Sequence, residues 1–217
     1  LAFGLYSARS SFNSDYLEIS NVSADSFSAG ISAEDKSDVS VKSAFIDTSN
    51  SSSKGYNGSY SEYRIEDEDD ASSVNVTSVA LRAVSGSSIS LGTDGNQTVG
   101  IYGTIVAGLS TVDTQGSSVG ASKITLGSTD GSTIVKVYGD VYAGNGGTVS
   151  LTLGKGSILE GQVDDYHELD STQAGTVFRN SAFVNLEDKN AGTGKDEEIS
   201  VGDRIPVTAA GTATIKL

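Results

Sequence analysis

One phrase occurs twice in this chain at a fixed interval. Ile101 to Gly108 reads IYGTIVAG, and Val137 to Gly144 reads VYGDVYAG, 36 residues further on. A second phrase recurs in the same frame: SISLGT at Ser88 to Thr93, SKITLGS at Ser122 to Ser128, and VSLTLGKGS at Val149 to Ser157. Weaker copies of the first are FGLYSA (Phe3 to Ala8), AGISA (Ala29 to Ala33) and SVALRA (Ser78 to Ala83). Self-similarity at a period of about 20–50 residues marks solenoids, propellers and arrays, whose units cannot bury their apolar faces alone.

Within each unit the hydrophobic period is two. Tyr16-Leu17-Glu18-Ile19, Val39-Ser40-Val41, Ser88-Ile89-Ser90-Leu91, Lys123-Ile124-Thr125-Leu126 and Val149-Ser150-Leu151-Thr152-Leu153 all alternate. Alternation gives a strand with one apolar face, and few windows carry the i, i+3, i+4, i+7 pattern of a helix. Two or three short strands fit each unit, whereas a propeller blade needs four in about 40–50 residues. A β-sandwich also alternates, but gives no reason for the 36-residue recurrence. The expected fold is therefore all-β: a right-handed single-stranded parallel β-helix, a solenoid over residues 1–217. Its coils would take about 22–27 residues and stack about 4.8 Å apart. Coil one would cover 2–26 and coil two 27–48, with later coils opening near Val74, Thr98, Thr133 and Ile158. Gly92, Gly127 and Gly154 each follow an apolar pair and suit corners that need φ > 0.

Composition agrees with short strands and tight corners. Leu, Ile, Val and Phe total 52 of 217 residues, which permits a core but a thin one. There are 26 Gly and a single Pro, Pro206. Cys is absent, which suits a protein that crosses an oxidising compartment without disulfides. The net charge of −14, with no basic patch, argues against nucleic acid and against anionic membrane surfaces. No apolar run reaches the about 18 residues of a membrane-spanning helix, so direct membrane insertion is not expected.

Two segments leave the frame. Residues 49–73 read as a loop insertion carrying Tyr56, Tyr60 and Tyr63 among Ser, Gly and Asn, residues typical of adaptable recognition surfaces. These three tyrosines are the candidate ligand contacts; the plainer reading is a solvated insertion. The acidic run that follows makes Asp67, Asp69 and Asp70 candidate Ca²⁺ ligands. It lacks both the EF-hand spacing and the glycine-rich calcium repeat. Residues 187–198 read as a hydrophilic hairpin or loop.

No catalytic residue is assigned and no cofactor is expected. Asp164-Asp165-Tyr166-His167 is the nearest approach to an acid–base set, but adjacent residues of an extended strand face opposite ways. His167 is the one histidine, and no G-x-S-x-G elbow surrounds a serine.

The stretch from Thr98 to Asp165 resembles the passenger domains of bacterial autotransporters. The resemblance rests on YG-x-[IV]-x-AG, on the [IV]-T-L-G that follows, and on the run from Gly154 to Asp165, GKGSILEGQVDD. Residues Ala209 to Leu217 look like another coil of the array. The resemblance implies an exported, cell-surface protein, with a signal peptide upstream and a membrane β-barrel downstream of these residues. It implies a structural or adhesive role rather than an enzyme, with a protein or glycan on a host or neighbouring cell as partner. One alternative is a polysaccharide lyase or hydrolase on the same type of scaffold. Another is a flat face that binds ice or a repetitive polymer, for which Thr125 and Thr152 would stack while Ser90 and Lys42 interrupt the column.

Overall fold

The computed structural model describes residues 1–22, 28–48, 64–66, 73–75, 78–108, 115–139, 141–143, 146–161, 163–165, 178–179, 183–185, 198–199, 205–209 and 213–216. Every regular element among them is a strand. The chain advances in passes. The first is β1 (Ala2–Ala8) and β2 (Ser11–Ser20); the second is β3 (Ser28–Glu34) and β4 (Asp38–Asp47). A small antiparallel pair, β5 (Arg64–Glu66) and β6 (Ser73–Asn75), comes next. The third pass is β7 (Ser78–Ala83), β8 (Ser88–Leu91) and β9 (Thr98–Tyr102). The fourth is β10 (Thr104–Ala107), β11 (Ser122–Leu126) and β12 (Ile134–Tyr138). The fifth is β13 (Val141–Ala143), β14 (Gly147–Leu153) and β15 (Ile158–Gly161), and β16 (Val163–Asp165) follows. Five more strands end the chain: β17 (Phe178–Arg179), β18 (Phe183–Asn185), β19 (Glu198–Ile199), β20 (Ile205–Ala209) and β21 (Ala213–Lys216).

The opening strands of successive passes form one parallel sheet, β1-β3-β7-β10-β13-β16. The remaining strands of the passes lie in a larger sheet that divides at β4. Residues 38–41 of β4 pair with β8, which leads to β11 and β14. Residues 44–47 of β4 pair with β9, which leads to β12 and β15. All of these pairs are parallel, so the chain is an all-β protein built on parallel sheets. Antiparallel strands lie at the far end: β21 on β14, and β20 on β15. Register measures each pass. Leu5 lies opposite Ile31, Leu81 opposite Ile105, Ile105 opposite Val141, and Val141 opposite Val163. The intervals are therefore 26, 24, 36 and 22 residues, with 50 between Ile31 and Leu81, where β5 and β6 intervene. The 36-residue repeat is one pass with long corners.

Alternation in the sequence becomes columns in space. Val39, Ile89, Ile124 and Val149 stack in register, as do Val41, Leu91, Leu126 and Leu151, and Ile46, Ile101, Val137 and Leu159; all are buried. Burying each such side chain stabilises by about 1.5–3 kcal/mol, and each is covered only once its neighbouring passes are in place.

Two sequence expectations are corrected here. The phrases ITLG and LTLG do not superpose. Ile124 pairs with Val149 and Leu126 with Leu151, two residues before the motif match. A slip of two keeps the same side chains inside, so burial alone does not choose between the registers. Thr152 consequently takes the place opposite Gly127, and its side chain is buried. It does not stack on Thr125, whose neighbours are Ser90 and Ser150. The polar column is Asn13, Ser40, Ser90, Thr125 and Ser150. The second correction concerns corner glycines. Gly92 and Gly127 have φ of 70° and 85° as expected, but Gly154 is not left-handed; Gly156 is, at 85°. Gly154 is needed for another reason, since a Cβ there would meet the Thr133 carbonyl oxygen at 2.6 Å.

Candidate functional site

The face of β2, β4, β9 and β12 opposite the Ile46–Ile101–Val137 column carries aromatic rings. Phe45, Tyr102 and Tyr138 alternate with the buried residues of their strands and are half-buried. Tyr102 lies beside Tyr138 in register, with ring centroids 4.8 Å apart and planes within 17°. Phe45 sits 5.5 Å from Tyr102 at 49°. Tyr16 on β2 is 57% exposed. The spacing of the stacked pair matches the about 4.8 Å between neighbouring strands, so the backbone sets the ring separation.

A groove of about 630 Å³ opens on this face. Phe45, Tyr102 and Tyr16 wall it, Ala44 and Gly100 lie beneath, and Ser43, Thr98, Glu18 and Lys136 line its polar parts. Gly100 pairs with Phe45 on one side and Lys136 on the other. Its φ is not left-handed, so no turn demands a glycine here. What matters is the missing side chain. A Cβ at 100 would stand 3.3 Å from Phe45 Cδ2 and 3.7 Å from Tyr102 Cε2, which lets the two rings converge above bare backbone. A glycine inside a strand weakens it, and such a position often marks close approach of another group.

Local polar contacts hold the rim. The Tyr16 hydroxyl donates to Glu18 Oε2 at 2.9 Å, and this bond to an anion raises the phenol pKa. Ser43 Oγ donates to Gln97 Oε1 at 2.7 Å, tying β4 to the segment before β9. Next to the groove Lys42 Nζ meets Asp15 Oδ1 at 2.8 Å; the hydrogen bond lowers the pKa of Asp15 and raises that of Lys42. The groove offers ring faces, hydroxyls, one carboxylate and one ammonium. These groups can make apolar, hydrogen-bonding and charged contacts to a ligand.

A second polar cluster lies in the six-stranded sheet. Arg82 is 1% exposed. Its Nη1 donates to Ser32 Oγ at 2.9 Å and also to the Glu34 carboxylate. The other Glu34 oxygen accepts from the Tyr6 hydroxyl at 3.1 Å. Tyr6, Ser32 and Arg82 share one column, so the ion pair links three passes.

Tyr56, Tyr60, Tyr63, Asp67, Asp69 and Asp70 lie outside the described residues, as do His167 and nearly all of 187–198. Asp164 and Asp165 lie on β16, opposite Tyr142 and Ala143. Among the described residues no group of three His, Cys, Asp or Glu is placed to hold a metal ion. Sequence reading missed the aromatic groove. The YG repeat contained a signal for it, since Tyr102 and Tyr138 occupy equivalent motif positions. Phe45 gave none, because residues 49–77 separate it from the pass on which it stacks. No protein-family model, curated protein or solved structure matches the chain.

Proposed function

We propose that the chain is a right-handed single-stranded parallel β-helix of the exported cell-surface kind, with a structural and adhesive role and no catalytic activity of its own. The observation that carries this reading is the division of β4, which gives each pass three strand positions, each continued in parallel by the next pass. Parallel crossovers within a sheet are right-handed in nearly all proteins, which supports the hand. The net charge of −14 suits a solvated surface array. In this reading the stacked columns supply a stiff rod and the outward residues meet a protein or glycan on a host or neighbouring cell. Tyr56, Tyr60, Tyr63 and the acidic run with Asp67, Asp69 and Asp70 belong to the presented surface. Export would deliver the chain to the bacterial cell surface, with a membrane β-barrel encoded beyond these residues.

The test is a binding screen of the whole chain against glycans and extracellular-matrix proteins, beside a version lacking residues 49–70. Saturable binding with no turnover of polysaccharide is expected. Cleavage of pectate or another uronate polymer would replace the adhesive reading with an enzymatic one. Binding that survives removal of 49–70 would move the contact away from the tyrosine loop.

A further inference from the structure

We infer that the groove over Gly100 is a binding subsite for an uncharged glycan of pyranose rings. The inference rests on the adhesive reading and names its ligand. Aromatic side chains offer large, rigid apolar faces, and the axial C–H bonds of a pyranose form a matching apolar face. Here Tyr16, Phe45 and Tyr102 line one groove. Tyr102 is flanked by Phe45 and Tyr138, so Tyr16, which is 57% exposed, and Phe45 supply the apolar ring surface. A sugar also needs donors and acceptors around its rim. Ser43, Thr98, the Glu18 carboxylate and the Lys136 ammonium line the same groove.

Charge selects among glycans. The groove carries one anion and one cation, Glu18 and Lys136, and so has no net preference of its own. The chain as a whole is at −14, which repels a polyanion. An uncharged hexose or N-acetylhexosamine chain is favoured over a uronate.

Gly100 supplies the independent sign of a ligand. The backbone conformation does not require it, its neighbours in register are Phe45 and Lys136, and any side chain there would enter the space between the rings.

The test titrates the whole chain with cellohexaose, chitohexaose and hexagalacturonate, reading tyrosine fluorescence, which no Trp obscures, and calorimetry. Saturable binding of one or both uncharged hexamers is expected, with weaker or no binding of the uronate. Phe45→Ala and Gly100→Val should each weaken it about ten-fold. Tyr16→Ser, at an exposed position, should weaken it about three-fold without altering the melting temperature. The inference is overturned if neither uncharged hexamer binds, if hexagalacturonate binds more tightly, or if folded Tyr16→Ser and Gly100→Val chains bind as the parent does. Should the chain then still bind matrix proteins or cells, the groove assignment fails while the adhesive reading stands. Cleavage of a hexamer overturns both.

Discussion

Tyr102 and Tyr138 stack face to face across adjacent strands, 4.8 Å between centroids, and they are the same residue of a motif repeated 36 positions apart. A sequence repeat has become a physical contact. Tyr102 has a ring on each side, Phe45 and Tyr138, whereas Tyr138 has the Tyr102 contact alone among the described pairs. Aromatic pairs are worth about 0.5–1.5 kcal/mol beyond area burial. Tyr102→Ala is therefore expected to lower stability more than Tyr138→Ala. A double-mutant cycle should return a coupling of about 1 kcal/mol between them by urea unfolding. A coupling near zero would show that the rings stack without stabilising each other.

Gly127 and Gly156 share a φ of 85° but differ in surroundings. A Cβ at 127 would run into the Thr152 carbonyl oxygen, while at 156 nothing lies within 4 Å. Both alanine variants bear the same backbone strain, about 1 kcal/mol. Only Gly127→Ala must also push two passes apart. Gly156→Ala is expected to melt within a few degrees of the parent, and Gly127→Ala to lose at least about 3 kcal/mol or fail to fold. Equal losses would refute the register that sets Gly127 against Thr152.

That register also shows where the sequence was readable and where it was not. The alternation in SISL, SKITL and VSLTL identified Ile89, Leu91, Ile124, Leu126, Val149 and Leu151 as one buried face, because period two fixes which side is inward. It could not fix the pairing, since sliding β14 by two residues leaves that face unchanged. Backbone contacts at the corners decide it, with Gly127 against Thr152 and Gly154 against Gly131 and Thr133. In the six-stranded sheet β10 and β13 were legible in the strong repeat, whereas β1, β3 and β7 were legible only as weak copies, because small residues such as Ala29, Ala33 and Ala83 carry little pattern. The corner repeats Thr93-Asp94-Gly95 and Thr129-Asp130-Gly131 went unread, although Asn96 N donates to Ser132 Oγ at 2.9 Å between them. The groove was least legible, because long connections part Phe45 from Gly100 and Gly100 from Lys136.

Asp130 gives a pH signature. Its carboxylate accepts from Ser128 Oγ at 2.6 Å, Ser132 N at 3.0 Å and Ser132 Oγ at 2.7 Å. These bonds, the Ser128 hydroxyl first, hold its pKa at about 2, below the ordinary 3.8. A depressed folded-state pKa stabilises above the unfolded value and is lost as pH falls through the folded one. The corner from Ser128 to Thr133 should therefore be intact at pH 5 and loosen between about pH 4 and 2. NMR titration of the Asp130 carboxyl is expected to show a midpoint near 2. Asp130→Asn should abolish that local transition, and a midpoint near 3.8 would mean the hydrogen bonds do not persist in solution.

The Arg82–Glu34 pair tests how the six-stranded sheet is held. Arg82 is 1% exposed and the Glu34 side chain 18% exposed, so the cation is the more deeply desolvated partner. Removing one member of a buried pair leaves the other charge poorly compensated, at a cost of about 3–5 kcal/mol when both are fully buried. Glu34 retains some solvent and the Tyr6 hydroxyl, so it tolerates loss of Arg82 better than Arg82 tolerates loss of Glu34. Glu34→Ala, which takes the carboxylate away from the buried guanidinium, is accordingly expected to cost more than Arg82→Met, which removes the buried charge and keeps most of the volume. Urea unfolding of the two single variants and the Glu34→Ala, Arg82→Met double variant decides it. The double variant should recover part of the Glu34→Ala loss, since no buried charge remains. If the double variant is instead as unstable as the two losses added together, the pair contributes no coupling to the stability of the sheet.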